Sequence, residues 1–422
     1  MAPKVLQKLA GQPLLEHVLA LAAELEPLST TVVYGHGGDQ VRAWGADRAL
    51  HWIEQNPPRG TGDAVRRALP PGSPALQSTD GVVLVLYGDV PLLQAATLAP
   101  LLASARAGRL ALLTQLLADP SGYGRILRDT NGAVTAIVEH KDANAAQRAC
   151  REVNTGILAA PAASLAAWVG LLDCHNAQGE YYLTDVVELA VEAHCDIDTF
   201  QPEHPWEADG VNDPIQLARL ERIWQRHLAH QLMLEGARLA DPERIDQRGR
   251  LRIGSDVEID VGCVFEGNVT LAGGVVIESN CVLKDCEIGP GTRIRAFSHL
   301  EGARVAAECV IGPYARLRPG STLGHGAQIG NFVEIKNSTL GSGSKANHLS
   351  YVGDASVGCG VNIGAGVITC NYDGASKHRT VIGDGAFIGS DSQLVAPVTV
   401  GAGATIGAGT TLVSDAPADQ LT

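Results

Sequence analysis

Between Ile253 and Leu412 an apolar residue returns every six positions, and few folds accept that period. Ile253, Ile259, Phe265, Leu271 and Ile277 open the series. After single-residue slips it resumes as Ile288, Ile294, Leu300, Val305, Ile311, Leu317, Leu323, Ile329 and Ile335, and it closes with Ile382, Ile388, Leu394, Val400, Ile406 and Leu412. A small residue tends to stand four places later, as at Cys263, Val269, Ala315, Ser321 and Ala327. No amphipathic helix has this period. Short strands joined by tight turns and stacked into a solenoid do. Three hexads make a triangular coil of about 18 residues, and coils stack roughly 4.8 Å apart, so the stretch predicts about nine coils in a prism roughly 43 Å long. A narrow prism has room for one large side chain per face, so the small residue must share the interior with the apolar one. Cys263 and Cys281 lie one coil apart and are expected to stack there as small core residues, neither bridged nor metal-bound.

The other bulk properties agree with a glycine-turned solenoid. Glycine is abundant, with 48 residues, and aromatic residues make up only 4%. A net charge of −14 argues against a nucleic-acid coat. No apolar run spans a bilayer and no signal peptide opens the chain, so no membrane partner is expected. Nine cysteines without a CxxC pair fit a reducing cytoplasm.

Residues 1 to about 210 alternate helix and strand signals. Pro13 to Glu26 reads as an amphipathic helix and Thr31 to Tyr34 as a buried strand, followed by a turn at Gly35-His36-Gly37-Gly38. Gly81 to Tyr87 is a continuous apolar run, as in a parallel strand covered on both faces. It ends in Gly88-Asp89, placing a carboxylate where open α/β sheets bind ligands. Asp213-Pro214 is a helix start, with a capping side chain and a first-turn proline. Leu217, Leu220, Trp224, Leu228 and Leu232 then follow at helical spacing up to a stop at Gly236. This long helix reads as a spacer that docks on its own domain. Three segments result: an α/β domain over 1–212, a helical linker over 213–245 and the solenoid over 246–422.

Several short motifs punctuate the first domain. Lys4 lies in PKVL, Gln55 precedes Gly60-Thr61-Gly62, and Tyr87-Gly88-Asp89 follows. Then come Gly122-Tyr123-Gly124-Arg125, Glu139-His140-Lys141-Asp142, Asn154-Thr155-Gly156, the run Gly179 to Asp185, and Gly210-Val211-Asn212. In this order they resemble the sugar-1-phosphate nucleotidyltransferases, while the hexads resemble the left-handed parallel β-helix of hexapeptide-repeat acyltransferases. Joined in one chain, they resemble the bacterial bifunctional N-acetylglucosamine-1-phosphate uridyltransferase/glucosamine-1-phosphate N-acetyltransferase family. The resemblance runs over essentially the whole chain. It implies a Rossmann-like α/β domain followed by a left-handed β-helix, and substrates UTP, acetyl-CoA and the two sugar phosphates. By the same resemblance Asp89 and Asn212 would hold Mg²⁺, and Gln55, Gly60 and Thr61 would recognise uracil. Tyr87 and Gly88 would complete the uridyl site, and Lys4 would meet phosphate. Gly124, Glu139, Asn154 and Asn212 would receive N-acetylglucosamine 1-phosphate. The family also carries a first strand and a glycine-rich phosphate loop before the position of Met1-Ala2-Pro3-Lys4. A chain without them is expected to bind UTP poorly.

Chemistry in a solenoid must lie outside its filled interior. Arg316-Leu317-Arg318-Pro319-Gly320 puts cations on a turn, Asn331 to Lys336 follows one coil later, and Gly343 to Tyr351 carries His348. The beat breaks between Ile363 and Ile382, so Thr369 to Arg379 is expected to loop out. The resemblance assigns His348 as general base, a role that imidazole chemistry suits. Arg318 and Lys336 would bind the phosphate of glucosamine 1-phosphate, with Tyr351 and Asn362 on its sugar. Asn371 and Tyr372 would line the acetyl pocket, and Ala365, Ser390 and Ala408 would contact acetyl-CoA. A homotrimer with sites between adjacent prisms is implied. The family continues past Leu412 with an arginine that reaches coenzyme A, so coenzyme affinity is expected to be reduced in a chain ending at Thr422. Two other readings stay open: a single-activity nucleotidyltransferase with an oligomerising helix, and a non-catalytic scaffold. Neither needs Lys336, His348, Tyr351, Asn371 and Tyr372.

Overall fold

A computed structural model describes residues 3–35, 37–78 and 80–422. Met1, Ala2 and His36, the last expected in the turn after Tyr34, lie outside the described residues. The chain divides into two units, Met1–Leu220 and Glu221–Thr422.

In the first unit, helix Leu14–Glu24 buries Leu14, Leu15, Val18, Leu19 and Leu21, the stripe its 3.6-residue period predicts. The main sheet runs in the order Ile197–Phe200, Leu110–Leu116, Glu152–Pro161, Arg125–Arg128, Val134–Val138. Alternation along its strands fills two cores. Leu110 and Leu112 join Leu158, Leu165, Trp168 and Val187 on one face. Ala111 and Leu113 join Ile157, Leu98 and Leu101 on the other. Helices Ala95–Arg106 and Ala162–Leu171 supply the covering layers.

Two strand expectations need correction. The apolar run at Gly81 to Tyr87 forms only Val82–Val85, antiparallel to Glu152–Pro161. Both faces are covered as expected, Val82 and Leu84 by one core and Val83 and Val85 by the other. The strand is nonetheless half-buried, because among the described residues no strand pairs with its second edge. Thr31–Tyr34 is likewise half-buried. It pairs in parallel with His51–Glu54 in a separate two-stranded sheet.

Helix Pro214–Leu234 starts where expected. Asp213 Oδ1 accepts from Gln216 N at 2.8 Å, and Gly236 ends the helix at φ +104°. Its buried line differs from the predicted stripe. Leu220 and Leu232 are buried, but Gln225 and Ala229 take the places expected for Trp224 and Leu228. Gln225 is drawn in by the solenoid's first strand: its Nε2 donates to Gln247 O at 2.8 Å, and its Oε1 accepts from Gln247 N at 2.7 Å. Ala229 and Leu232 belong to the solenoid core, so this end of the helix is part of the second unit.

The second unit is a left-handed parallel β-helix of hexapeptide repeats. One face is a ten-stranded sheet, and a 17-stranded sheet supplies the rest. All these strands pair in parallel with a partner one coil away. The register advances by 17 residues in some coils (Val276 opposite Arg293) and 18 in others (Val310 opposite Gln328). The beat residues from Ile259 to Leu412 are buried; Ile253 is half-buried against the same core. Cys263 and Cys281 are buried free thiols, and burial pushes them up to about 11 and about 12. One coil is longer, placing Ile363 opposite Ile388. The extra residues leave at Asn371, not at Thr369 as expected. Thr369 stays buried because its hydroxyl accepts from Gly353 N at 2.7 Å and donates to Gly353 O at 3.0 Å. No described helix is long and apolar enough to cross a membrane.

Candidate active sites

In the first unit, the expected residues form three adjoining groups. Asp89 follows strand Val82–Val85, and its carbonyl accepts from Val211 N at 2.9 Å. That bond brings Asn212 to the Asp89 carboxylate. Lys4 Nζ lies between them, 2.5 Å from Asp89 Oδ2 and 2.9 Å from Asn212 Oδ1. The two oxygens thus converge on a point already filled by a cationic atom. Lys4, expected at a phosphate, is here a partner of the two expected metal ligands. Among the described residues no cluster of three or more His, Cys, Asp or Glu could hold a metal ion. Two hard oxygens with further ligands from phosphate and water is a donor set that suits Mg²⁺.

Gln55, Gly60 and Thr61 make the second group. Gln55 Nε2 donates to Gly60 O at 2.9 Å. Gly60 has φ +98°, and a Cβ there would lie 2.5 Å from Tyr181 O, so only glycine fits. Gly62 N donates to the same Tyr181 carbonyl at 2.9 Å, which ties the loop to the Gly179–Asp185 run.

Tyr87 joins this group to the third. Burial first, offset by a hydrogen bond with Thr61 and reinforced by the nearby Glu139 and Asp89 carboxylates, pushes its phenol up to about 12. Gly156, at φ +87°, lets the ring approach; a Cβ there would lie 2.6 Å from Tyr87 Cε2. Gly124 O accepts from Asn154 N at 2.9 Å, and a Cβ on Gly124 would stand 3.4 Å from Glu139 Oε1. Glu139 Oε1 accepts from Thr184 at 3.2 Å. Burial holds the Glu139 carboxyl above its ordinary value, and Asp142 adds to the shift. The sequence reading missed Asp63, Tyr181 and Thr184. Tyr181 and Thr184 both lie in the Gly179–Asp185 run, which marks them without giving either a role; nothing local marks Asp63.

In the second unit, strand register assembles a column from residues far apart in the chain. Asn331 pairs with His348, and Ala346, Ile363, Ile388 and Ile406 follow one another in register. Two residues further along each coil stand His348, Ala365, Ser390 and Ala408. Backbone bonds knit the column: Leu349 N to Asn331 O at 3.1 Å, Gly366 N to His348 O at 3.4 Å, Asp391 N to Ala365 O at 2.7 Å and Gly409 N to Ser390 O at 2.8 Å. His348 is exposed, and its Nδ1 lies 3.0 Å from Asn331 Oδ1. A bond to Nδ1 leaves Nε2 directed outward, as a base requires. Asn331 was quoted in a motif but given no role.

The sugar-side residues occupy the neighbouring sheet. Arg318 and Lys336 fall on one line by register, and Arg318 donates to Glu334 at 2.9 Å. Asn371 donates to Asp354 at 2.5 Å and to the Tyr351 hydroxyl at 3.4 Å. Asp354 is held below the usual carboxylate range: burial acts against this, while bonds from Asn337 and Asn371 and the Lys336 charge favour ionisation. Asn362 pairs with Lys345 and Phe387, and Tyr372 is exposed on the outward loop. Among the described residues, no hydrogen bond joins His348 to the Tyr351–Asn371 cluster.

An α/β nucleotidyltransferase domain followed by a hexapeptide β-helix with a histidine on its edge defines a two-headed transferase. Residues 1–153 match the MobA-like NTP transferase domain, and residues 379–414 the bacterial transferase hexapeptide of six repeats. The "Bifunctional protein GlmU" of Aromatoleum aromaticum is 59% identical over 421 residues, covering 100% of this chain and 91% of that protein. The proteins of that name from Burkholderia multivorans (59%, covering 98% and 90%) and Bordetella parapertussis (58%, covering 100% and 92%) are equally similar. The chain belongs to the GlmU family of bifunctional proteins.

Proposed function

We infer that the chain makes UDP-N-acetylglucosamine in two transfers, one on each unit. In the first, His348 Nε2 takes a proton from the amine of glucosamine 1-phosphate as its nitrogen attacks the acetyl-CoA carbonyl. The tetrahedral oxyanion then collapses, expelling the coenzyme A sulfur, which leaves as the thiol after protonation. Arg318 and Lys336 hold the sugar phosphate, and Tyr351 and Asn362 the sugar. Asn371 and Tyr372 line the acetyl pocket, and the small residues Ala365, Ser390 and Ala408 leave space along the column for the coenzyme.

In the second transfer, a phosphate oxygen of N-acetylglucosamine 1-phosphate attacks the α-phosphorus of UTP, and pyrophosphate leaves. Gly124, Glu139 and Asn154 hold the sugar, Gln55, Gly60 and Thr61 the uracil, and Tyr87 and Gly88 the space between. Asp89 and Asn212 would hold Mg²⁺, which would supply neutralisation of phosphate charge. Lys4, beside these two oxygens, would meet phosphate. Such catalysis is positioning and charge neutralisation.

The prisms assemble, and as homotrimers. Phe297, Tyr314 and Phe332 support this: their rings stack at 5.0 and 5.3 Å along one prism edge, and all three are about half exposed. All three have positive φ, a conformation that costs bulky residues about 1 kcal/mol or more each. UTP and acetyl-CoA are cytosolic metabolites, which supports a cytoplasmic location.

The observation that carries this reading is the column headed by Asn331 and His348. The test is thiol release from acetyl-CoA and pyrophosphate release from UTP, each with its sugar phosphate. His348→Ala abolishes the first and spares the second; Asp89→Ala does the reverse. Thiol release that persists in His348→Ala refutes the assigned base.

A further inference from the structure

Gln55 is 9% exposed, and both hydrogens of its side-chain amide are engaged. Nε2 donates to Gly60 O at 2.9 Å and to Asp63 Oδ2 at 3.0 Å. A backbone carbonyl and an ionised carboxylate accept only, so the orientation of this amide is set by chemistry. Asp63 is itself 2% exposed and fixed from two further sides. Arg66 donates to its Oδ1 at 2.5 Å and Arg67 Nε to its Oδ2 at 2.8 Å. Burial acts against its charge, but the bonds from Gln55, Arg67 and Arg66 together hold it ionised down to about pH 2. Arg66 also lies over the Tyr181 ring, 4.5 Å from its centroid, on the residue whose carbonyl pins the Gly60 loop.

We propose that Asp63 is a positioning residue that locks the Gln55 amide with its carbonyl oxygen toward the base, and so makes the nucleotide site select uracil over cytosine. The inference rests on the reading that Gln55 meets the base. Uracil presents an N3–H donor, which an outward Oε1 accepts. Cytosine presents a lone pair at N3, which Oε1 repels. A free glutamine would answer cytosine by rotating its amide to offer Nε2. Asp63 forbids this, because rotation would set Oε1 against a buried carboxylate and the Gly60 carbonyl. Selectivity then comes from an enforced mismatch with the wrong base as well as a bond to the right one.

The test compares UTP and CTP on the full chain and on Gln55→Ala, Asp63→Asn and Asp63→Ser. Binding is followed by calorimetry, and kcat and KM by pyrophosphate release. Asparagine and serine can each accept or donate, so either removes the carboxylate's share of the barrier to turning and leaves the Gly60 carbonyl as the one acceptor still opposing it. The expected result for Asp63→Asn is a roughly 10-fold higher KM for UTP with kcat nearly unchanged, and tighter binding of CTP than in the parent. The gain with CTP is the telling readout, since mere loosening of the loop weakens both nucleotides. Thermal melting identifies a variant that fails to fold, and Asp63→Ser then carries the comparison. A parent that binds both nucleotides equally overturns the base-site reading and this inference together. A parent that discriminates and loses UTP affinity in Gln55→Ala, while the Asp63 variants keep the parental UTP-to-CTP ratio, overturns the inference alone.

Discussion

The bond between Asn331 and His348 should set how much of the imidazole is competent as a base. The backbones of both residues are held by register, since Asn331 and His348 are direct partners in neighbouring coils. With the proton on Nδ1 donated to Asn331 Oδ1 at 3.0 Å, Nε2 carries the lone pair. A net hydrogen bond of this kind is worth about 0.5–1.5 kcal/mol, so Asn331→Ala should lower kcat/KM for acetyl transfer by about 2- to 12-fold. Asn331→Asp keeps an acceptor but adds a negative charge. That charge stabilises the imidazolium, so the rise of activity with pH should move to higher pH. The two variants therefore differ in kind: one lowers the plateau and the other displaces the profile. The assay is free-thiol release from acetyl-CoA at saturating glucosamine 1-phosphate across pH 5 to 9. An Asn331→Ala enzyme with the parental plateau and profile would refute the idea that this bond prepares the base.

Other consequences can be checked on the same preparations. Asp185 is raised to about 6, chiefly by burial and then by Glu188, Asp173 and Glu139. A carboxyl raised on folding stabilises fully below its unfolded value and loses that contribution as pH rises through about 6. Asp185→Asn should therefore add on the order of 2 kcal/mol of stability at pH 8, read as a higher melting temperature, and change little at pH 3. Thr369→Val keeps the shape of a buried side chain but leaves Gly353 N without its acceptor, and should cost about 1–3 kcal/mol in a denaturation curve. Phe332→Asp places a charge in the exposed ring stack and should shift the sedimentation velocity profile toward smaller species without lowering β-sheet circular dichroism.

The solenoid was legible because its constraint is local and repeated. Each hexad states which residue is interior, and register follows from counting, so the stacking of Cys263 on Cys281 needed no long-range information. The limits of that logic show at Thr369, a polar residue at the edge of a broken repeat. Only its bonds to Gly353 reveal that it stays inside. In the first unit the site motifs were legible as punctuation, but their mutual geometry was not. That Asp89 meets Asn212 depends on Val211 N reaching the Asp89 carbonyl, a contact between loops with no periodic signal. Asp63 was invisible for a related reason. An aspartate in the first turn of a helix is ordinarily an electrostatic complement to the helix start, and its second role appears only once Gln55 is packed above it. The helix Pro214–Leu234 failed in phase and not in kind: Gln225 reads as polar, but two backbone bonds make burial its lowest-energy choice.

Column geometry also explains how a longer coil can sit beside His348 without disturbing it. The insertion between Ile363 and Ile382 adds residues at a corner, after Cys370 has paired with Val395 and before Thr380 pairs with Val398. The coil regains its register at once, with Ile363 still opposite Ile388. Backbone spacing at His348, Ala365, Ser390 and Ala408 is therefore set by strand hydrogen bonds on both sides of the insertion. Four steps of about 4.8 Å give this line, from Asn331 to Ala408, a length of about 19 Å. A rigid scaffold thus presents His348 and an extended small-residue track, while the added loop is free to carry Tyr372 outward. Shortening the loop from Asp373 to Lys377 should leave thermal stability of the prism within about 1 kcal/mol, because the loop contributes little buried surface. It should still reduce acetyl transfer, because Asn371 and Tyr372 lose the turn that His378 N closes on Asn371 O at 2.8 Å. A shortened chain that melts far earlier than the parent would show that the loop holds the coil together, and would move it from the chemistry of the site to the architecture of the helix.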